Sequence, residues 1–316
     1  YFGCCPDLVA CAQVAQRSGV PFLVDEAHGA HFSYCSGLPM SGVEAGADLV
    51  VQCVHKTAGS LSQSAMLHWN KGRVRFETVQ RALVLLQSSS PSALLLASLD
   101  GTRALMATQG EALWGRAIML AQEARTAIRA IPGLWCFGDD LLGQGVDAFD
   151  PTKLIISTTG VGFTGYEAAR WLRRHFKVEV EFATRPLVVC TITFADSEPQ
   201  VEHLVHAMRS LSRAGEPSSG RRPVEAPISL PWPGLPTVAM SLREAHFAPT
   251  KRVPLESAMN RVCAESVMTY PPGIPVLLPG EVVESSIIDY LHELIAQDAM
   301  VVGTEDPSLK RILVVA

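Results

Sequence analysis

Short apolar runs alternate with amphipathic segments over the first 135 residues of the chain. The runs at 20–24, 48–53 and 65–69 contain few polar residues, which is typical of strands covered on both faces of a sheet. Apolar residues at helical spacing predict three helices, over residues 7–18, 71–86 and 91–130. The alternation of helix and strand predicts an α/β domain with a mainly parallel sheet, which we place at residues 1–135.

The pattern changes after residue 135. A strand, a helix, two strands and a second helix are predicted at 153–157, 165–175, 178–182, 187–194 and 197–211. This order predicts a small α+β domain over residues 136–213. Residues 214–237 are rich in Pro, Gly, Ser and Arg and are predicted to be a linker. A C-terminal domain over 238–316 is expected to contain a helix at 282–299 and a closing strand at 312–315.

Composition narrows the class of protein. With 48% apolar residues, 18% charged residues and a net charge of −5, the chain has no basic field that would favour nucleic acid or an anionic membrane. No uninterrupted apolar stretch is long enough for a membrane span. The eight cysteines show no C-x-x-C pair, so reduced thiols and a cytoplasmic protein are expected. The chain starts without Met or a leader pattern, and we therefore expect a further segment upstream.

A first polar cluster follows the first predicted strand. Asp25, Glu26, His28 and His31 come directly after this strand, where α/β sheets present ligand-binding loops. One interpretation is a metal site, but side chains on a turning loop are expected to diverge, and we predict no metal. Another is that these polar residues only cap the strand end.

A second cluster follows the next apolar strand and contains Lys56, 31 positions after Asp25. A lysine at such a place is either a solvated surface residue or a partly desolvated amine, and burial makes an amine nucleophilic toward a carbonyl. An aspartate on a neighbouring strand end can keep a pyridine nitrogen protonated. The two clusters together predict a pyridoxal 5′-phosphate (PLP) site with Lys56 as the Schiff-base residue and Asp25 as its electronic partner.

Several motifs occur in order along nearly the whole chain: Asp25-Glu-Ala-His-Gly-Ala-His31, Gly46-Ala-Asp-Leu-Val-Val-Gln52, His55-Lys-Thr57, Gln63-Ser-Ala-Met-Leu67, Ser90-Pro-Ser92, Ser98-Leu-Asp100, Tyr270-Pro-Pro-Gly-Ile-Pro275 and Pro279-Gly-Glu281. With these motifs the chain resembles the PLP-dependent ornithine/lysine/arginine decarboxylases, which have the aspartate-aminotransferase fold. The resemblance implies part of a PLP-dependent transferase large domain, followed by the small α+β domain and a C-terminal decarboxylase domain.

The resemblance also implies roles for single residues. Lys56 would carry the cofactor, Asp25 would bind the pyridine nitrogen, Ala27 would lie against the ring face, and His28 would lie close to the cofactor or substrate. Lys56, Asp25 and His28 are the predicted catalytic residues.

Further residues are assigned to the phosphate and to the substrate. His55 would neighbour the phosphate, and Ser89 would reach the phosphate of a second copy across a homodimer interface. Cys53 stands where the family usually has Ser, and a thiol is a weaker donor than a hydroxyl. Glu281 is either a contact for the cationic end of the substrate or a residue in the first turn of the following helix.

The implied activity is decarboxylation of a basic amino acid, arginine first and then lysine or ornithine, in polyamine metabolism. An aminotransferase on the same fold is an alternative, because fold alone does not set function. A second alternative is a non-catalytic homologue that dimerises or binds. The family's upstream phosphate-binding turn and ring-stacking His have no counterpart in these 316 residues, and this favours the second alternative.

Overall fold

The computed structural model describes residues 1–143, 145–215, 232–270, 273–296 and 299–316. Contacts divide the chain into two compact units, Tyr1–Ile156 with Val189–Ser212, and Ser157–Val188 with Arg213–Ala316. The chain passes from one unit to the other within a strand, Lys153–Ser157, and again within Leu187–Thr191.

From the N-terminus to Ala214 the helices and strands are β1 (Cys4–Cys5), α1 (Leu8–Arg17), β2 (Leu23–Asp25), β3 (Leu49–Gln52), α2 (Val54–Thr57), β4 (Met66–Trp69), α3 (Phe76–Leu86), α4 (Ala93–Arg129), β5 (Trp135–Phe137), β6 (Ala148–Phe149), β7 (Lys153–Ser157), α5 (Gly165–Phe176), β8 (Phe182–Ala183), β9 (Leu187–Thr191) and α6 (Glu198–Ala214). The later ones are α7 (Leu242–Phe247), β10 (Thr250–Pro254), β11 (Val267–Thr269), β12 (Ile274–Leu277), α8 (Ser285–Ala296), β13 (Val301–Val302) and β14 (Arg311–Val315).

The sheet that carries both polar clusters has the strand order β2-β3-β4. Strands β2 and β3 are parallel, with Val24 opposite Val50, as the sequence pattern predicts. Strands β3 and β4 are antiparallel, with Val51 opposite Leu67. A parallel pair needs a crossover connection of about a dozen residues or more, usually through a helix, whereas an antiparallel pair accepts a tighter return. The return from β3 to β4 contains only the one-turn helix α2, and the direction of β4 follows from this local path.

Helices α1 and α4 agree with the predicted segments because their first turns are capped as the sequence suggests. The Asp7 side chain accepts a hydrogen bond from the Ala10 N–H at 2.8 Å, and the Ser92 side chain accepts one from the Leu95 N–H at 3.4 Å. Helix α4 is 37 residues long and buries one stripe against the rest of its unit. The stripe includes Met106, Gly110, Trp114, Ala117, Ala121, Ala124 and Ile128.

Three predicted boundaries differ from the structure, and local contacts explain two of them. Helix α3 begins at Phe76 rather than at residue 71, because Arg73 in the preceding loop is bound through its N–H and guanidinium to Asp48. The predicted strand at 178–182 is reduced to Phe182–Ala183. The strand predicted to continue to 194 ends at Thr191, because the Thr193 N–H and hydroxyl bind Asp196 and turn the chain.

A second sheet has the strand order β5-β7-β9-β8. Its strand β7 is buried over residues 153–156, including the charged residue Lys153. Helix α5 begins with a capping box, in which the Thr164 side chain and the Glu167 side chain each bind the backbone N–H of the other.

The C-terminal part of the second unit has two antiparallel arrangements, β10 with β14, and β11 between β12 and β13. Helix α8 begins at Ser285, later than the predicted residue 282. Most of the predicted 214–237 linker, the end of the predicted 282–299 helix at 297–298, and Pro271-Pro272 of the turn-rich motif lie outside the described residues. No helix of the described ranges is long and apolar enough to cross a membrane.

Candidate active site

Asp25 is the last residue of β2 and lies exposed at the carboxyl end of the strand. Its Oδ1 accepts a hydrogen bond from the Ala27 N–H at 3.0 Å, which begins the turn into the polar loop. In the parallel pairing, Asp25 is opposite Val51 of β3. The carboxylate therefore lies at the same sheet edge at which β3 delivers its own polar residues.

Lys56 lies in α2, a single helical turn that starts directly after β3 with Cys53 at its N-cap. The Lys56 side chain is partly buried, and its Nζ lies 3.5 Å from Nε2 of His28. The same Nζ lies 5.7 Å from the centre of the Tyr1 ring, which also stacks against His28 at 4.4 Å between centroids. The structure thus brings together Lys56 and His28, two of the three residues predicted to be catalytic.

The ring of His28 is held neutral by its surroundings. Burial, followed by the positive charges of Lys153 and Lys56, lowers the pKa of His28 to about 3. When Nε2 of the neutral His28 ring accepts from the Lys56 amine, its Nδ1 carries the proton. This Nδ1 is buried without a hydrogen-bond partner in the described part of the chain. It is a donor available to an acceptor atom of a ligand.

The residues beside Lys56 form a stiff loop. Nδ1 of His55 lies 2.7 Å from the Ser64 carbonyl oxygen, and because a carbonyl oxygen only accepts, this ring nitrogen is the donor. The Ser64 hydroxyl in turn bonds the Leu61 carbonyl at 2.6 Å and contacts the Ser60 hydroxyl. These contacts fix the start of the return to β4.

The residues present fit a PLP molecule. Besides His28 Nδ1, the hydroxyl of Thr57 is buried without a partner among the described residues, and Thr57 is the neighbour of Lys56 in sequence. Buried polar atoms are nearly always satisfied, so such atoms beside a reactive amine indicate a polar ligand. A carboxylate for a pyridine nitrogen, an amine for a carbonyl and unsatisfied donors are all available at this edge.

The polar loop does not form a metal site in the described ranges. Glu26 points to Gln52, His31 points to Asp150, and His28 points to Lys56, so the three side chains diverge. No group of three or more His, Cys, Asp or Glu side chains with ligand geometry occurs within the ranges described above.

Sequence reasoning missed the partner of His31. Nε2 of His31 lies 3.1 Å from Oδ2 of Asp150, and both side chains are fully buried. Burial by itself raises the pKa of Asp150, but the contacts with His31, Lys153 and Thr152 more than offset it and hold this pKa below its usual range. The two residues are separated by 119 positions, so no local pattern connects them.

Two further predicted site residues, Ser89 and Glu281, have hydrogen-bonded turns around them. Ser89 is exposed between α3 and α4, in a turn where the Ser88 hydroxyl accepts from the Ser90 N–H at 3.1 Å. Glu281 belongs to the second unit, and its Oε2 accepts from the Leu278 N–H at 2.7 Å. The interpretation of Glu281 as a first-turn residue of the following helix is wrong, because this carboxylate closes the turn that precedes α8.

Two family descriptions match the chain. The major domain of the Orn/Lys/Arg decarboxylases matches residues 1–142, and their C-terminal domain matches residues 233–306. The chain belongs to this family. Both polar clusters lie within the major-domain match, and Glu281 lies within the C-terminal match.

Curated relatives agree with this assignment. The arginine decarboxylase of Halalkalibacterium halodurans is 41% identical over the whole chain, and that of Bacillus subtilis is 38% identical. The constitutive ornithine decarboxylase of Escherichia coli is 23% identical over 78% of the chain and 47% of its own length. The chain spans 64% of the length of the two arginine decarboxylases.

Solved structures confirm the predicted fold class. The chain is similar over its full length to the Escherichia coli constitutive lysine decarboxylase (TM-score 0.74, 17% identity, 57% of that chain) and to lysine decarboxylase A of Pseudomonas aeruginosa (TM-score 0.77, 19% identity, 56% of that chain). The chain is also similar to an alanine–glyoxylate aminotransferase from Nostoc sp. (TM-score 0.53, 19% identity). This similarity extends over 66% of the present chain and 58% of the aminotransferase. These TM-scores establish a shared α/β fold.

Proposed function

We propose that this chain serves the PLP-dependent decarboxylation of a basic amino acid, with Lys56 as the residue that binds the cofactor covalently. The observation that carries the proposal is the pairing of Lys56 with a neutral His28 at the sheet edge where Asp25 ends the neighbouring strand. A lysine amine that binds the cofactor and a carboxylate that pairs with the pyridine nitrogen are the groups that PLP chemistry uses.

Bound PLP supplies an electron-withdrawing pyridine ring that stabilises the negative charge left when carbon dioxide departs. Asp25, whose Oδ1 accepts from the Ala27 N–H, would hold the ring nitrogen in its protonated form, and Ala27 would lie against the ring. Lys56 would hold the cofactor through its side-chain amine. His28 presents an uncharged ring to the reacting groups, so it adds no further positive charge beside Lys56.

We assign the phosphate to His55, Cys53 and Ser89, the last from a second copy of the chain. A homodimer is supported by exposed apolar side chains on both sides of Ser89, at the end of α3 and the start of α4. These are Val84, Leu85, Leu86 and Leu94, which are between 76% and 82% exposed.

Arginine is the proposed substrate, followed by lysine or ornithine, and the support is the naming of relatives at 38–41% identity as arginine decarboxylases. Glu281 is the proposed carboxylate for the cationic end of the substrate. A cytoplasmic location and a role in polyamine formation are further parts of the proposal. We also propose that the chain has three domains, at residues 1–135, 136–213 and 238–316, with a linker at 214–237.

Absorption spectroscopy and an activity assay test the proposal. The chain incubated with PLP is expected to develop a visible band that Lys56→Ala abolishes, and to release carbon dioxide from arginine faster than from lysine or ornithine. A Lys56-dependent band with amino-group transfer to a keto acid instead favours an aminotransferase. Absence of the band in the unmutated chain contradicts cofactor binding and favours a non-catalytic homologue.

A further inference from the structure

Three polar side chains are hydrogen-bonded across the three strands of the sheet that carries the candidate site. Glu26 follows β2, Gln52 ends β3, and His68 lies in β4. Gln52 Nε2 donates to Glu26 Oε2 at 2.7 Å, and Gln52 Oε1 lies 2.8 Å from Nε2 of His68. Glu26 and Gln52 are buried, and His68 is half-buried. We call these residues the Glu26–Gln52–His68 network.

The direction of every hydrogen bond in the network is determined by Glu26. Its carboxylate also receives the Gly42 N–H at 2.9 Å and the Ser41 hydroxyl at 3.1 Å, so donors surround it. Burial raises the pKa of Glu26, but a backbone N–H and a hydroxyl donate to its two oxygens, so Glu26 accepts. Gln52 therefore turns its amide nitrogen toward Glu26 and its carbonyl toward His68. His68 must then carry its proton on Nε2. One carboxylate therefore fixes both the amide orientation of Gln52 and the tautomer of His68.

The network is connected through the backbone to the two residues that define the site. Glu26 is the next residue after Asp25, and Gln52 is separated from the helical turn of Lys56 only by its N-cap, Cys53. The Glu26 N–H also donates to the Val51 carbonyl at 2.8 Å, so β2 and β3 stay joined one residue past the last residue of β2. None of the three network side chains has a role in the proposed chemistry itself.

We propose that Glu26, Gln52 and His68 are positioning residues that set the distance between Asp25 and Lys56. Through this distance they set the affinity of the site for PLP. This inference rests on the proposed PLP site. Two groups that must engage opposite parts of one small ring need their spacing held closely, and strand ends are otherwise free to splay. Hydrogen bonds that join all three strands side by side prevent this movement.

A double-mutant cycle separates positioning from general stability. PLP dissociation constants are measured for the unmutated chain, Gln52→Met, Asp25→Ala and the double variant. Because Gln52 acts through Asp25, Gln52→Met is expected to weaken PLP binding on the order of tenfold alone but less than about twofold in the Asp25→Ala background. Equal losses in both backgrounds, or no loss in either, overturn the inference.

Matched variants show whether unfolding causes the loss of PLP affinity. His68→Phe is expected to behave like Gln52→Met, whereas His68→Gln keeps a donor for Gln52 and is expected to retain PLP affinity within about twofold. Leu120→Ala, in the buried stripe of α4 away from these strands, lowers the unfolding midpoint and is expected to leave PLP affinity unchanged. A loss of affinity in Leu120→Ala equal to that in Gln52→Met contradicts a positioning role.

A second readout does not involve the cofactor. Nitrogen-15 NMR of the ring of His68 is expected to show the proton on Nε2 in the unmutated chain. A proton on Nδ1 contradicts the network. If the unmutated chain does not bind PLP, the proposed function fails. If it binds PLP and Gln52→Met binds equally well, only the positioning inference fails.

Discussion

Replacing His31 by Phe removes one partner from the buried contact between His31 and Asp150. The Phe ring keeps the packing, because His31 stacks on Trp114 at 4.4 Å and on Phe32 at 4.8 Å between centroids. The Asp150 carboxylate loses its contact at 3.1 Å and stays fully buried. The substitution therefore isolates the cost of leaving this carboxylate without its main partner.

The expected cost follows from what remains around Asp150. Removing the partner of a buried charged group costs about 3–5 kcal/mol, because the charge is left uncompensated. Asp150 keeps two hydrogen bonds, from the Thr152 N–H at 2.9 Å and the Thr152 hydroxyl at 2.6 Å, and Lys153 still lowers its pKa. We therefore expect a loss near the lower end, about 3 kcal/mol of the free energy of unfolding at pH 7. Adding Asp150→Asn removes the buried charge and is expected to recover roughly 1 kcal/mol.

The loss depends on pH in a defined direction. In the unmutated chain the folded pKa of Asp150 is below its unfolded value of about 3.9, so its stabilisation is present above that pH and disappears as the pH falls. In His31→Phe, burial dominates and raises the folded pKa of Asp150, so that variant regains stability as the pH falls. The difference between the two proteins is therefore largest at pH 7 and shrinks toward pH 4.

Urea unfolding followed by tryptophan fluorescence measures these differences. Asp100→Asn is the matched control, because Asp100 forms an exposed pair with Arg103 on α4 and is expected to change stability by less than about 0.5 kcal/mol. A loss below roughly 1 kcal/mol in His31→Phe, or a difference from the unmutated chain that grows on acidification, refutes the reasoning.

Three further outcomes concern the site. Asp25→Ala is expected to lower the decarboxylation rate roughly 100-fold or more, because the ring nitrogen loses the charge that keeps it protonated; a rate within tenfold of the unmutated chain contradicts this role. The ring of His28, with a pKa of about 3, is expected to show no titration between pH 5 and pH 8 by NMR, and an inflection near pH 6.5 contradicts the neutral ring. Cys53→Ser supplies a stronger donor to the phosphate and is expected to tighten PLP binding about fivefold, or about 1 kcal/mol; unchanged affinity removes Cys53 from the phosphate site.

The sequence predicts those parts of the fold that depend on local patterns. The long helix, Ala93–Arg129, is visible because Ser92 caps it and its apolar residues recur at helical spacing. The placement of Asp25 and Lys56 at one sheet edge is predictable because Asp25 ends one short apolar strand and Lys56 comes shortly after the next. The direction of β4 was not predicted, because it depends on the path of the return after α2.

Contacts between distant residues could not be predicted. Glu26 and His31 look like candidate metal ligands in the sequence. In the structure Glu26 is hydrogen-bonded to Gln52, and His31 is hydrogen-bonded to Asp150. These partners depend on which strands become neighbours and on how deeply each side chain is buried. Glu281 illustrates the same limit, because its role in closing the turn at Leu278 depends on backbone geometry that composition does not encode.

The most direct test of the account is to identify the residue that takes up PLP. The chain is incubated with PLP, treated with borohydride to make the bond permanent, digested and analysed by mass spectrometry. The account predicts one modified peptide that carries the cofactor on Lys56, and its loss in Lys56→Ala. Modification distributed over surface lysines such as Lys71 and Lys251, with Lys56 unmodified, contradicts it.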